Sequence, residues 1–443
     1  MSIKKMAVAG QFYPVDENEL REEIKGYTEN LQKECDYFSR AVIVPHAGHV
    51  YSGALAAKGY QYLKKELDTI FVFAPCHRVY VETFALSTAD EFETPLGNVG
   101  VNKAFQDELK ALGGVENDDA FLNEHSVEVQ LPFIKTYFEN SKIVPVLVGG
   151  ANQNKIFEII NKYWDNKNIG FVISSDLSHF RPREEAQRVD FVTADMIENN
   201  VFENLLPEQA CGYKAVAGLL EFAKSKNYSM IRVGITDSSE TTKDPSSVVG
   251  YGSWYLAEEE KTKFFKENFQ EVLRKLAVLS VKSQLDNLNL RIENCPRALE
   301  TRLASFVTLI ENGILRGCIG SIVAHQPLVV DICQNARNAA FKDPRFTPVQ
   351  ANEFEKLQFA VSLLSRPEKI DFNGEEDLLE KLVPEVDGLI IRDAGRQAVY
   401  LPEVWKQLPD KKEFLNSLKQ KAGLTPEWFS DTFEAYRFKT ELV

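Results

Sequence analysis

Short runs of β-branched and aromatic residues, each of strand length and each followed by polar residues, recur through the first 257 residues and leave few architectures open. AVIVP (41–45), TIFVFAP (69–75), KIVPVLV (142–148), GFVIS (170–174) and MIRVGI (230–235) are such runs, and SVVGYGSWYLAE (247–258) reads as a further strand. Between them, 101–112, 154–163 and 211–222 carry apolar residues at helical spacing. Near-continuous apolar strands alternating with helices predict a three-layer α/β domain. Its sheet is expected to be mixed or mainly parallel and covered on both faces.

The character of the chain changes near 258–262. From 258 to 284 it is charged and helical, with Phe264, Phe265, Phe269, Val272, Leu273, Leu276 and Leu279 spaced for one buried face. The boundary expected here divides a first domain, 1–257, from a second, 258–443. Beyond it, FVTLIENGILRGCIG and DGLIIRDAGRQAVYLP each place Gly-containing turn residues between apolar runs, the pattern of antiparallel hairpins. With helices expected at 328–341 and 410–421, the second domain reads as α+β.

Composition excludes several functions. Asp and Glu outnumber Lys and Arg by 65 to 51, a formal charge of −14, which argues against a basic stripe for nucleic acid. The six cysteines include no Cys-x-x-Cys pair, so neither a zinc ribbon nor a disulfide framework is expected, and a reducing cytoplasm is the natural home. No apolar run reaches the ~18 residues of a membrane span.

Histidine placement carries the chemistry. Five of the six histidines precede residue 180. His46 follows AVIVP, His77 follows TIFVFAP, and His179 follows GFVIS through SDLS, while MIRVGI runs into Asp237 and Glu240. In open α/β sheets that edge is where loops project side chains into a shared crevice. A single histidine after a strand is commonly a surface or hydrogen-bonded structural residue. Three at three strand ends point to a shared metal or catalytic site, and two imidazoles with one carboxylate suit non-haem iron and other divalent metals. His49 is expected in a loop beside the site, and His125 opens a helix whose face lines the pocket. Cys76, although next to His77, points the other way on extended backbone and reads as a packed small residue. Ser174, Ser175 and Ser178 lack the G-x-S-x-G elbow of a serine hydrolase. Asp176 is expected to orient His179 or cap a turn.

AVAGQFYP (7–14), VPHAGHVYSG (44–53), APCH (74–77), EHSVEVQLPF (124–133), VPVLVGG (144–150), ISSDLSH (173–179) and VVGYG (248–252) resemble the Memo family along the whole first domain. That family is similar in fold to the LigB-type class III extradiol dioxygenases. The resemblance implies a metal held by His46 and His77, with His179 as acid–base partner; Asp176, from the reading of the residues above, is the catalytic candidate beside it. Animal relatives place a cysteine in the loop that here reads DSSETTKDPSS, and no cysteine lies between Cys211 and Cys295. Glu240 adjoins the matching position, Thr241, and the dioxygenases use a glutamate in this loop, so the third ligand implied is Glu240. Without the thiolate the site is expected to favour iron(II), manganese or zinc over copper(I); the metal expected is iron(II), with copper or zinc as alternatives.

LRGCIG (315–320), PLVVDICQNARNAAFKDPRF (327–346) and DGLIIRDAGRQAVYLPEVW (387–405) resemble the AMMECR family over the second domain. Arg316 is a candidate anion clamp and Cys318 a candidate reactive thiol, weighed against a structural turn with a buried cysteine. Arg337, Asp343, Arg345 and Arg392 are candidates for a charged cluster around them. Domains of these two kinds occur beside a radical-SAM protein, the AmmeMemoRadiSam set. This chain lacks the Cys-x-x-x-Cys-x-x-Cys that would bind such an enzyme's cluster, so the resemblance implies a separate radical-SAM partner. The expected function is a cytoplasmic, metal-dependent oxidoreductase, dioxygenase-like chemistry included, acting on a small molecule or peptide. The alternative is a non-enzymatic metal-binding or scaffold protein.

Overall fold

The computed structural model describes residues 2–29, 33–290, 292 and 295–443. The chain forms two compact units, Met1–Glu260 and Lys261–Val443. No helix among the described residues is long and apolar enough to cross a membrane.

In the first unit, the described residues form a nine-stranded sheet. Its order is His179–Arg181, Val248–Ala257, Ala41–Val44, Ile169–Ser174, Thr69–Pro75, Lys142–Val148, Phe84–Leu86 and Gly114–Glu116, with Ser229–Asp237 also paired to Val248–Ala257. The four middle strands are parallel, and Val44 pairs with Ser174, Phe73 with Ile173 and Pro75 with Val148. Their carboxyl ends therefore fall nearly level. Val248–Ala257 runs antiparallel to Ala41–Val44, and Ser229–Asp237 antiparallel to it, so Asp237 reaches the same edge.

Both faces are covered, which is why the runs are continuously apolar rather than alternating. Ile43, Phe71, Phe73, Val144, Val146, Phe171 and Ile173 share a core with Ile156, Ile159 and Ile160 of helix Gln153–Tyr163 and Val216, Leu219 and Leu220 of helix Tyr213–Lys226. On the opposite face lies helix His49–Tyr60, whose Gly59 is so close that an added Cβ would stand 2.4 Å from Ser253 Oγ and 2.7 Å from Val44 Cγ1. These three layers are the α/β architecture expected from the sequence. The segment 211–222 differs at its start: the helix begins at Tyr213, leaving Cys211 in the turn before it.

The second unit is α+β, with two four-stranded antiparallel sheets among its described residues. One contains Ala304–Glu311 and Ile314–Gly320, joined by Asn312 and Gly313 at φ 51° and 79°. The other contains Gly388–Asp393 and Arg396–Tyr400, joined by Ala394 and Gly395 at φ 50° and 73°. Two successive positive φ values let a two-residue turn match the twist of its strands. Helix Lys261–Leu285 packs on helix Leu328–Phe341, and the Trp405 and Phe414 rings stack 3.6 Å apart in the core beneath the second sheet.

Candidate metal centre

The level strand ends bring together side chains that are far apart in sequence. His46 lies two residues past Val44 and His77 two past Pro75, while Ser174 closes its strand. His125 comes from the segment between helices Asp118–Leu122 and Leu131–Tyr137. The rings of His46, His77 and His125 form a triangle, with centroids 5.4 Å (46–77), 5.4 Å (46–125) and 5.0 Å (77–125) apart. Cys211 joins them: its Sγ is 3.3 Å from His46 Nε2. One ligand atom from each of His46, His77 and Cys211 lies within 4.8 Å of the others, a set that could hold a metal ion.

Hydrogen bonds aim these groups. Glu124 Oε2 accepts the His77 backbone N–H at 2.6 Å, and its Oε1 lies 3.0 Å from His77 Nδ1. Oε1 also accepts the backbone N–H groups of His125 and Ser126, at 3.0 and 3.1 Å. Burial works against this carboxylate, yet its bonds to His125 and His77 outweigh burial and hold it well below the usual carboxylate range. A charged Glu124 can only accept, so His77 Nδ1 carries the proton that faces it and the ring is held in place, with Nε2 turned away from the carboxylate. His77, Glu124 and His125 also form a second group that could hold a metal ion. With so many N–H groups already on its oxygens, Glu124 is better suited to orienting the rings than to ligation.

His46 is 1% exposed, with Nδ1 2.9 Å from Ser174 Oγ. Burial, together with the nearby His77 and His125, holds its imidazole well below the ordinary value, so the ring is neutral at pH 7. Burial and the Asp176 charge push the Cys211 thiol up. A neutral imidazole and a thiol at 3.3 Å are metal donors once the thiol proton leaves.

The expected site residues divide accordingly. His46 and His77 meet, as strand-end placement predicts, and His125 is beside them. The helix after His125 opens later than expected, with a 3₁₀ turn at Glu128–Gln130 followed by Leu131–Tyr137. His179 starts the short strand paired with Val249, on the sheet edge that also carries Asp176. Of the two roles expected for Asp176, the bond seen is to backbone: its Oδ1 accepts the N–H of His46 at 2.8 Å, just past the strand end, and so braces His46. Burial raises the Asp176 carboxyl above its ordinary value.

Glu240, the third ligand expected, is exposed on the short helix Ser239–Thr242, its carboxylate is paired with Arg183, and it belongs to neither ligand group. The third donor found with the two histidines is Cys211, a residue no strand end announced. The hard-ligand preference for iron(II) loses its premise, because a thiol stands where a carboxylate was expected. His49 is not a loop residue beside the site. It opens helix His49–Tyr60, is buried, and is turned away onto Glu23 (Nδ1–Oε1 2.9 Å), Phe133 and Tyr13. Cys76 donates to the Val79 carbonyl and belongs to neither ligand group.

In the second unit, Arg316 is engaged rather than free: Nε and Nη2 fork onto Glu353 at 3.1 and 3.3 Å. Cys318 donates its N–H to Asp343 at 2.8 Å, and its Sγ accepts the Thr308 hydroxyl at 3.2 Å. Arg345 chelates Asp343 and donates to the Cys318 carbonyl. Of the expected charged cluster, Asp343 and Arg345 adjoin Cys318, whereas Arg337 bonds Ser280 and Ser283 and Arg392 bonds Gln397. Gly317 lets the strand pass the helix, since a Cβ there would lie 2.2 Å from the Ala339 carbonyl oxygen.

An α/β sheet with imidazoles and a thiol gathered past the carboxyl ends of its parallel strands defines an α/β protein with a candidate metal centre. The chain belongs to the Memo family, whose profile, described as Memo-like protein, matches residues 4–255. A profile described as AMMECR1 matches 274–443, so the two domains occur in one chain. Similar proteins include a MEMO1 family protein of Metallosphaera sedula, 32% identical over 56% of this chain and 97% of its own length. One of Methanobrevibacter smithii is 34% identical over 57% and 98%, respectively. The crystal structure of an uncharacterized protein from Pyrococcus horikoshii is 32% identical, covers 39% of this chain and 89% of its own, and superposes with a TM-score of 0.37.

Proposed function

We propose that the first unit is a metal-dependent centre of oxidoreductase type, with His46, His77 and Cys211 as ligands and His125 and His179 as the groups that move protons. The observation that carries this is the donor set itself, three ligand atoms within 4.8 Å of one another. Two imidazoles and a thiolate suit iron(II), zinc(II) and copper. A bound metal would supply Lewis acidity and, if iron or copper, electron transfer. Around it the chain holds His77 through Glu124 and the His46 backbone through Asp176. His125, stacked on His77 and outside the His46–His77–Cys211 set, is placed to exchange a proton with a bound substrate. Histidines near the ligands but not among them favour chemistry over storage of the metal. A separate radical-SAM enzyme as partner, and a small molecule or peptide as substrate, are part of the same proposal and rest on the family resemblance.

Metal analysis of protein purified without oxygen tests the site. About one metal ion per chain is expected. His46→Ala and His77→Ala should each lose it, Cys211→Ala should bind it more weakly, and Glu240→Ala should retain it. Unchanged metal in both histidine variants would sink the assignment. The metal recovered then directs turnover assays, with catechols first if it is iron.

A further inference from the structure

We propose that Ser174 is a positioning residue that locks the His46 imidazole in its Nδ1–H tautomer, with Gln130 and Tyr60 fixing the direction of every proton around it. The consequence for metal binding rests on the site proposed above; the tautomer itself does not.

The case is a count of donors and acceptors. A serine hydroxyl has one proton to give and two lone pairs. Ser174 Oγ has three partners: the Ser126 carbonyl oxygen at 2.7 Å, Gln130 Nε2 at 2.9 Å and His46 Nδ1 at 2.9 Å. A carbonyl oxygen only accepts, so the Ser174 proton goes to Ser126. Gln130 cannot be turned over to claim that proton, because its Nε2 also faces the Pro45 carbonyl oxygen at 2.9 Å while its Oε1 accepts from the Tyr60 hydroxyl at 3.0 Å. Flipping the amide would set two carbonyl oxygens against each other. Gln130 Nε2 therefore donates to Ser174. One lone pair of Oγ remains, and His46 Nδ1 must donate to it.

Ser126, Gln130 and Ser174 are 0% exposed, and His46 and Tyr60 are 1% exposed. Water is thus a poor substitute for any missing partner. The opposite tautomer would set an Nδ1 lone pair against an oxygen whose proton is engaged, or strip the proton from Ser126 and orphan a buried carbonyl. Either penalty disfavours it by about tenfold or more. With Nδ1 protonated, Nε2 carries a lone pair. That is the nitrogen 3.3 Å from Cys211 Sγ, so the network presents a ligand-ready atom before any metal arrives. Ser174 acts through His46 and needs no contact with substrate.

Long-range proton–nitrogen NMR of histidine rings in metal-free, nitrogen-15-labelled protein reads the tautomer directly, with His46→Ala identifying the resonances. The wild type should show His46 protonated at Nδ1 and bare at Nε2. Ser174→Ala should give mixed tautomers and weaken cobalt(II) binding about 10–100-fold. Ser174→Thr, which restores a hydroxyl, should recover the tautomer. A His46 protonated at Nε2 in the wild type would overturn the lock without recourse to any variant. So would a folded Ser174→Ala protein with tautomer and cobalt affinity both unchanged. A wild type that shows the Nδ1–H tautomer but takes up no cobalt(II) supports the lock and counts against the metal site instead.

Discussion

Asp190 holds a carboxylate where the surroundings favour a carboxylic acid. It is 2% exposed on helix Arg183–Glu198, and its Oδ1 accepts the Ser178 backbone N–H at 2.9 Å, bracing the turn that leads into His179. Burial, with the nearby Asp237 charge, pushes it up to about 6. The folded chain therefore binds this proton more tightly than the unfolded chain, whose aspartate titrates near about 4. Stability from this group is complete at and below about pH 4 and is lost as pH rises through about 6. Asp190→Asn removes the ionisation. The variant should gain about 1–3 kcal/mol on the wild type between pH 4 and pH 7.5. Urea denaturation at the two pH values, with pulse-labelled hydrogen exchange in Val248–Ala257 reporting the first unit, checks this. A stability difference that does not change with pH would assign Asp190 an ordinary carboxylate.

The elements explain which parts of the site could be read in advance. Parallel strands buried on both faces need unbroken apolar runs, so Ala41–Val44, Thr69–Pro75, Lys142–Val148 and Ile169–Ser174 were visible, as were His46 and His77 just beyond them. Cys211 was not, because it stands in a turn before a helix and reaches His46 across 165 positions, with no periodicity to mark it. Glu124 hid beside the more conspicuous His125. His49 misled for the opposite reason: it is three residues from His46, but the helix starting there turns its ring to Glu23. That helix, HVYSGALAAKGY, shows no single apolar stripe, because small residues bury it on several sides. Gly59 sets the spacing. Gly59→Ala would press a methyl onto Ser253 and Val44, at 2.4 and 2.7 Å, and is expected to cost about 1–3 kcal/mol in denaturant unfolding of the first unit. No loss would mean that helix and sheet move apart freely.

At the scale of the whole chain, two units with cores of their own carry unequal chemistry. Among the described residues, the groups able to hold a metal ion all lie in Met1–Glu260. A ligand that binds only the folded state adds stability by mass action, about 2.7 kcal/mol at a free concentration one hundred times its Kd. Where that stability appears shows which segments the bound ion holds closed, because amides exchange through local as well as global opening. Zinc(II) added to metal-free protein should slow exchange most in the segments that deliver the donors: the ends of Ala41–Val44 and Thr69–Pro75, the turn before Tyr213–Lys226 and the stretch around His125. The hairpin Ala304–Gly320, which carries Cys318, should exchange at its metal-free rate. Hydrogen-exchange mass spectrometry of the full chain, with and without zinc(II), separates the cases. Protection confined to the strand-end segments would tie the ion to His46, His77 and Cys211. Protection appearing first at Cys318 would move the metal site to the second unit, whatever the geometry of the first.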